Sequence, residues 1–278
     1  MPALMPTQTL TVRGLRLRYH VEGDGDPVIL LHGFPETLQG WNGRLQALAK
    51  CFRVHAFDWP GMGGSDAPRD FSYTYEGYAR LLEDVMDALG VGAAHLVGTD
   101  IGMPPALLLA IRRPGRVRKL VVFDGPAFER PALLSWEITA LRTPWLGEVL
   151  VYGFPRSAVW LALERGFYGR RRTSGDQYED FQAQARRQRT RDATLELFRS
   201  GQSTFGAIER EIHQLTAPML ILWGEEDVFI APEMGMLLKA ACPHARLEIV
   251  PQCGHFLHQE VPRYFDQQVM AFLADADQ

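Results

Sequence analysis

The stretch Leu96-Val97-Gly98-Thr99-Asp100-Ile101-Gly102 decides the fold of this 278-residue chain. Its apolar start predicts the end of a short buried strand, and the apolar run from Ile101 to Ile111 predicts a helix. Gly98 and Gly102 bracket the junction, where a side chain would obstruct a sharp reversal of the backbone. The sequence therefore places the carboxylate of Asp100 between a strand and the positive end of a helix dipole.

Asp100 stands at the nucleophile position of a G-x-Nu-x-G turn. A serine alkoxide attacks carbonyl carbon, whereas a carboxylate is suited to displacing a leaving group from saturated carbon. The displacement leaves an alkyl ester on the enzyme, which water must then cleave. The competing interpretation is an aspartate that only caps a helix. The two glycines and the partner residues described below favour the nucleophile.

Short apolar strands alternate with helices on both sides of this junction. Strands buried on both faces have this pattern, and the alternation predicts a mostly parallel sheet with helices on both faces. An alternating hairpin around Gly14 precedes them. The predicted strands are Val28–Leu31, Val54–Phe57, His95–Val97, Leu120–Phe123, Met219–Trp223 and Leu247–Val250. The predicted helices cover 41–50, 75–89, 101–111, 232–241 and 262–273.

The alternation lapses between about Pro126 and Leu215, where aromatic and helix-forming residues dominate. About 90 residues are too many for a loop and predict a helical cap, inserted after the sixth strand of the sheet. We expect it to cover the edge where the parallel strands end, since ligands bind there in open α/β sheets. The expected domains are a core of 1–125 and 216–278 and a cap of 126–215.

Composition limits the classes of partner that the chain is expected to bind. A net charge of −4, with 46% hydrophobic and 22% charged residues, gives no reason to expect nucleic acid or a membrane surface as partner. No stretch approaches the ~20 apolar residues of a membrane helix, and the N terminus does not resemble a secretory signal. Cys51, Cys242 and Cys253 have no metal-ligand spacing, which predicts free buried thiols in a cytoplasmic protein.

Two loops follow the first two buried strands. In His32-Gly33-Phe34-Pro35, the backbone N–H of Phe34 is expected to form an oxyanion hole with the N–H of Ile101, the residue after the nucleophile. The glycine-rich loop 58–66 lacks the Lys-Ser/Thr of a phosphate-binding loop and predicts a structural turn, with no nucleotide.

A histidine and an acid complete the expected set. His255 lies on a glycine-bearing loop past the last strand, from which it can reach Asp100 as general base. Asp227, just after the strand ending at Trp223, is the preferred acid to orient the imidazole. Asp124, just past the preceding strand, is the alternative.

These segments together resemble the α/β-hydrolase superfamily over nearly the whole chain. The patterns are H-G-x-P at 32–35, D-x-P-G-x-G-x-S-D at 58–66, G-x-Nu-x-G at 98–102, G-x-x-D at 224–227 and G-H at 254–255. The resemblance implies an eight-stranded sheet. The aspartate resembles the branch of epoxide hydrolases, haloalkane dehalogenases and fluoroacetate dehalogenases. It implies attack by Asp100, then hydrolysis by water that the His–Asp pair activates, with no metal or organic cofactor.

Within that branch the side chains favour epoxide hydrolysis to a diol. Haloalkane dehalogenases typically carry tryptophan after the nucleophile, and fluoroacetate dehalogenases carry arginine there, whereas this chain has Ile101. An opening epoxide needs an acid, usually a cap tyrosine in that family, and Tyr152 is the expected match, with Tyr168 and Tyr178 as other candidates. Late in the cap, only Phe205 stands near the position of the second family tyrosine.

The alternatives are a haloalkane or haloacid dehalogenase and, third, an esterase-like enzyme or a non-catalytic ligand-binding protein. The cap aromatics predict a small, largely apolar substrate. Trp145, Trp160 and Tyr168 are the expected substrate-binding side chains.

Overall fold

An eight-stranded sheet forms the centre of the molecule. The computed structural model describes residues 4–169 and 173–275, so the ends of the expected core and positions 170–172 of the expected cap lie outside the described residues. The strands are β1 (Gln8–Val12), β2 (Leu15–Glu22), β3 (Pro27–Leu31), β4 (Arg53–Phe57), β5 (Ala94–Thr99), β6 (Val117–Phe123), β7 (Met219–Gly224) and β8 (Arg246–Val250).

The strand order is β1-β2-β4-β3-β5-β6-β7-β8. Strand β2 runs antiparallel to both of its neighbours, and every pair from β4–β3 to β7–β8 is parallel. The predicted mostly parallel, eight-stranded sheet is therefore confirmed. Because β3, β5, β6 and β7 are parallel neighbours, the loops that follow them meet at one edge of the sheet.

Helices cover both faces of the sheet. Residues of α2, α3 and α9 belong to the apolar core on one face, and residues of α1 and α11 belong to the core on the other. The helices are α1 (Arg44–Leu48), α2 (Tyr75–Ala88), α3 (Met103–Arg112), α4 (Trp136–Arg142), α5 (Leu146–Glu148), α6 (Pro155–Gly166), α7 (Gly175–Ala185), α8 (Gln188–Glu211), α9 (Glu233–Ala241), α10 (Leu257–Glu260) and α11 (Pro262–Ala274).

The segment between β6 and β7 is helical, as its composition predicts, and contains α4 to α8. Polar contacts join it to the loops at the sheet edge. Both guanidinium Nη atoms of Arg18 on β2 donate to Asp180 on α7, at 2.6 and 2.9 Å. Gln177 Nε2 on the same helix donates to the carbonyl oxygen of Gln39 at 2.6 Å. These contacts place the inserted helices over the edge where the parallel strands end.

Two local expectations fail. The helix predicted over 41–50 is divided into a 3₁₀ turn, Leu38–Trp41, and α1, because Gly43 between them adopts a φ of +89°. Cys242 and Cys253 are buried, but Cys51 is exposed, so the prediction of three buried thiols was wrong for Cys51.

Two further findings concern residues 4–169 and 173–275. No helix there combines the length and apolar character that crossing a membrane requires. No group of three or more histidine, cysteine, aspartate or glutamate side chains there is arranged to hold a metal ion.

Candidate active site

Asp100 lies at the turn between β5 and α3, in the short 3₁₀ segment Asp100–Gly102. Its φ of +45° is a left-handed conformation that costs free energy in a non-glycine residue and is concentrated at functional sites. The glycines make the turn possible. A Cβ atom on Gly102 would lie 2.5 Å from the carbonyl oxygen of Leu31, and one on Gly98 would lie 2.8 Å from that of Gly102.

Backbone N–H groups hold the Asp100 carboxylate. The N–H of Phe34 donates to Oδ2 at 2.6 Å, and the N–H of Ile101 also hydrogen bonds to the carboxylate. Gly33 allows this approach, because a Cβ there would lie 2.9 Å from the Asp100 Cβ. The two N–H groups proposed from the sequence therefore converge on the carboxylate. The Phe34 N–H fixes Oδ2.

His255 and Asp227 form a buried pair. The imidazole Nδ1 lies 2.9 Å from Asp227 Oδ2, at hydrogen-bond distance. The other oxygen of Asp227, Oδ1, accepts the N–H groups of Phe229 at 2.8 Å and Ile230 at 3.1 Å. The carboxylate is thus fixed from both sides and orients the ring, so that Nε2 is the nitrogen left for the cavity.

Asp124, the alternative acid, is close but makes a different bond. Its Oδ1 accepts the N–H of Gly224 at 2.9 Å. Burial and then the charge of Asp227 raise the pKa of Asp124 far above its ordinary value. The geometry favours Asp227 as the partner of His255, because its Oδ2 lies 2.9 Å from the imidazole Nδ1.

The Asp100 carboxyl and the His255 imidazole influence each other's pKa. Burial raises the pKa of Asp100 to about 6, against the lowering effects of the His255 charge and of the Phe34 and Ile101 N–H groups. Burial would lower the pKa of His255, but the charge and hydrogen bond of Asp227, together with the Asp100 charge, raise it to about 10. Near pH 8 the resting site therefore holds an Asp100 carboxylate beside a His255 imidazolium.

Asp100 faces a cavity with two lobes. The second lobe is smaller and more enclosed than the first. Asp100, Ile138 and Phe198 line both. The first lobe is also lined by Phe34, Glu137, Leu141, Ala162, Phe229 and His255. The second is also lined by Tyr75, Pro126, Leu134, Arg142, Phe205 and Ile230.

The structure does not bring Tyr152 to Asp100. Its side chain is 38% exposed, its hydroxyl donates to Asp192, and the Arg191 guanidinium lies over its ring. Tyr152 lines neither lobe, so its proposed role as the ring-opening acid is withdrawn. The other two tyrosine candidates, Tyr168 and Tyr178, do not line the lobes either.

The three expected substrate-binding aromatics face away from the cavity. Trp145 is 84% exposed, Tyr168 52% and Trp160 49%, and none of them lines either lobe. These assignments were wrong because helical spacing indicates a face of a helix but not which neighbour covers that face. The inserted helices line the first lobe instead with Ile138 and Leu141 of α4 and with smaller contributions from α6 and α8.

Sequence reasoning also missed two polar residues of the cavity. Glu137 of α4 lines the first lobe, and one of its oxygens accepts from Arg165. Tyr75, the first residue of α2, lines the second lobe. The only sequence signal for Tyr75 was its place at the start of a helix that follows a buried strand, since such helices begin at the edge where the strands end.

Comparisons with known proteins agree with this architecture. A sequence profile for the α/β hydrolase fold matches residues 26–262. The chain belongs to the α/β-hydrolase fold family. The crystal structure of Cfl2 from Burkholderia cenocepacia superimposes with a TM-score of 0.86 at 25% identity and covers 96% of this chain and 95% of that one.

Two curated relatives are enzymes of this α/β-hydrolase family. Epoxide hydrolase 4 of Mus musculus is 29% identical over 280 residues, which cover 94% of this chain and 77% of the relative. The 2-hydroxymuconate semialdehyde hydrolase of Pseudomonas sp. (strain CF600) is 32% identical over 273 residues, which cover 95% and 92%. The protein is a hydrolase, so a purely ligand-binding role is set aside.

Proposed function

We propose that this α/β hydrolase opens epoxides to diols with Asp100 as a covalent nucleophile. The observation that carries the proposal is the hydrogen bond from the Phe34 N–H to Asp100 Oδ2, together with the Ile101 N–H on the same carboxylate. With a serine nucleophile these donors would await a substrate oxygen. Here the Phe34 N–H already holds Oδ2, which would become the ester carbonyl oxygen, and Oδ1 would attack saturated carbon.

The first step forms the ester. Oδ1 of Asp100 bonds to an epoxide carbon, the carbon–oxygen bond of the ring breaks, and its electron pair moves to the leaving oxygen, which takes up a proton. This step removes the negative charge of Asp100. Since that charge is one of the causes that raise the pKa of His255, alkylation lowers the pKa of the imidazole and prepares it to act as a base.

The second step cleaves the ester. After alkylation the imidazolium of His255 loses its proton to solvent, which returns one when the cycle closes. The neutral imidazole, oriented by Asp227, then takes a proton from water, and the resulting hydroxide adds to the ester carbonyl carbon. Negative charge then develops on Oδ2, to which the Phe34 N–H already donates. Collapse expels the diol oxygen, which takes the proton from His255, and the Asp100 carboxyl returns its proton to solvent.

The lining of the cavity favours a neutral, largely apolar substrate. Ile138, Leu141, Phe198 and Phe229 supply apolar surface. No lysine or arginine is among the described residues that line the first lobe, so the carboxylate of a haloacid would enter a poorly solvated space without a cationic partner for it other than His255. Haloacids are therefore the less favoured of the halide substrates, and neutral alkyl halides are the alternative to test beside epoxides. The helical segment 126–215 serves as the cap that shields this space from water.

The test is to trap the ester. In His255→Gln the second step is blocked, so incubation with styrene oxide should increase the intact mass of the protein by one epoxide, mapped to the peptide that carries Asp100. The double variant with Asp100→Asn is the control and should gain no mass. The proposal is wrong if His255→Gln forms no adduct, or if the control forms the same one.

A further inference from the structure

The second lobe of the cavity is lined by a tyrosine, Tyr75, that has no role in the steps described so far. Tyr75 is only 2% exposed, and its ring packs against Phe205 with the ring centres 5.5 Å apart. It lines this lobe together with Asp100. A buried tyrosine ordinarily directs its hydroxyl to a partner, because leaving it unpaired costs free energy.

Neighbouring tyrosines follow that rule, and Tyr75 does not. The hydroxyl of Tyr73 donates to the carbonyl oxygen of Pro68 at 2.7 Å, and that of Tyr78 donates to Pro60 at 2.9 Å. Within residues 4–169 and 173–275, no group forms a hydrogen bond with the Tyr75 hydroxyl. Nor does its oxygen belong to the unpaired polar atoms that are sealed inside the protein, so it opens onto the cavity.

Few other donors line the cavity. Among the described side chains that line the two lobes, only Tyr75, Arg142 and His255 carry an N–H or O–H group. Arg142 donates to Glu129 at 2.7 Å, and Nδ1 of His255 is paired with Asp227. In the second lobe, Tyr75 is therefore the donor that a substrate oxygen can engage without breaking a bond within the protein; in the first lobe, that donor is Nε2 of His255 while the imidazole is protonated.

We propose that Tyr75 is the catalytic residue that donates its proton to the leaving oxygen as Asp100 opens the epoxide. This inference rests on the proposed function. As the ring carbon–oxygen bond breaks, its electron pair stays on the oxygen, which takes the hydroxyl proton of Tyr75 and becomes the free hydroxyl of the ester. Tyr75 regains a proton from solvent, to which Asp100 releases one after hydrolysis, so the cycle consumes only epoxide and water.

The surroundings keep this donor protonated until it is needed. Burial, and then the negative charge of Asp100, raise the pKa of Tyr75 far above its ordinary value. The hydroxyl is then a weak acid, but an alkoxide is a strong base and can still take its proton. The same closeness to Asp100 that raises the pKa places the hydroxyl in the space where the substrate reacts.

The test compares two tyrosines of helix α2. Tyr75→Phe removes the unpaired hydroxyl, and Tyr78→Phe removes one that is bonded to Pro60 and lies outside the lobes. Both are made in the His255→Gln background, where no imidazolium can donate instead, and the rate of Asp100 modification by styrene oxide is followed by intact mass. We expect Tyr75→Phe to slow modification about 100-fold and Tyr78→Phe to leave it unchanged.

Two further measurements separate catalysis from structure. (2-Bromoethyl)benzene carries a leaving group that needs no proton. It should therefore modify Asp100 in Tyr75→Phe at the same rate as in the parent protein. Because its lost hydroxyl had no partner, Tyr75→Phe should also melt at or above the parent temperature, whereas Tyr78→Phe should melt lower. If (2-bromoethyl)benzene modifies neither protein, the rates of Asp100 modification by styrene oxide alone decide the role of Tyr75.

The outcomes are distinct. Modification of Tyr75→Phe by styrene oxide at the parent rate overturns the role of Tyr75 and leaves the proposed function standing. An equal loss with epoxide and bromide also overturns it, because the residue then only shapes the cavity. Absence of any Asp100 adduct in the parent His255→Gln protein refutes the proposed function, and the inference with it.

Discussion

Replacing Asp100 by asparagine should stabilise the folded protein at neutral pH while abolishing turnover. The pKa of the carboxyl rises from 3.8 to about 6 on folding, chiefly through burial. At 1.36 kcal/mol per pKa unit, the fold disfavours the ionised form by about 3 kcal/mol. Asparagine is neutral, similar in size and tolerant of the φ of +45° at this position. Because its NH₂ group must also be accommodated, we expect a gain of about 1–3 kcal/mol.

The assay is urea unfolding between pH 4.5 and 8. A carboxyl whose pKa is raised by folding costs no stability below its unfolded pKa of about 4 and costs the full amount above about 6. The advantage of Asp100→Asn should therefore grow with pH across this interval. Asp66→Asn is the control with the opposite sign, because its hydrogen bond from Arg16 lowers the pKa of the Asp66 carboxyl.

Two results would refute this reasoning. If Asp100→Asn is less stable than the parent at pH 8, the carboxylate is held by favourable contacts that outweigh its burial. If the difference does not change with pH, then ionisation of Asp100 does not couple to folding in the way that its surroundings imply.

Four further results are expected. The value of kcat/KM for an epoxide should rise with pH through about 6, because Asp100 must be ionised to attack, and a profile flat from pH 5 to 8 would contradict this. Asp227→Asn should slow ester hydrolysis on the order of 10³-fold or more, measured by rapid quench, while alkylation of Asp100 proceeds. Asp124→Asn should retain most of the activity. If Asp124→Asn loses more activity than Asp227→Asn, the roles of the two acids are exchanged. Tyr152→Phe should leave steady-state epoxide turnover unchanged, and a loss of tenfold or more (about 1.4 kcal/mol) would return it to the site. Glu137→Gln should change inhibition by phenylacetate and by neutral phenylacetamide to the same extent, because one oxygen of the Glu137 carboxylate is paired with Arg165 and the other is sealed inside the protein; a selective gain for phenylacetate would contradict this.

The sequence predicts those parts of the site that depend on short-range geometry. The turn around Asp100 could be recognised because its glycines act within seven consecutive residues, and each relieves a clash with backbone next to it. The parallel sheet could be recognised because strands buried on both faces are apolar throughout. The N–H groups of Phe34 and Ile101 were predicted from the resemblance to the fold, which places an oxyanion hole between the residue after the nucleophile and the loop that follows an early strand.

The remaining parts depend on contacts between distant segments. Asp124 and Asp227 both follow strand ends, and β6 and β7 are neighbours, so chain order alone could not decide which of them faces His255. In the structure, the N–H groups of Phe229 and Ile230 hold the Asp227 carboxylate in the position where it faces His255. Tyr152 was chosen by its place in the sequence of the inserted segment, but its ring lies at the surface, and the tyrosine in the cavity comes from α2.

The most direct test of the central claim is a single turnover of epoxide in water labelled with ¹⁸O, with the enzyme in excess. If Asp100 forms the ester and water attacks its carbonyl carbon, the first diol released carries no label, and one ¹⁸O appears in the peptide that contains Asp100. If the label enters the diol in that first turnover and the peptide stays unlabelled, water attacks the epoxide directly and Asp100 is not the nucleophile.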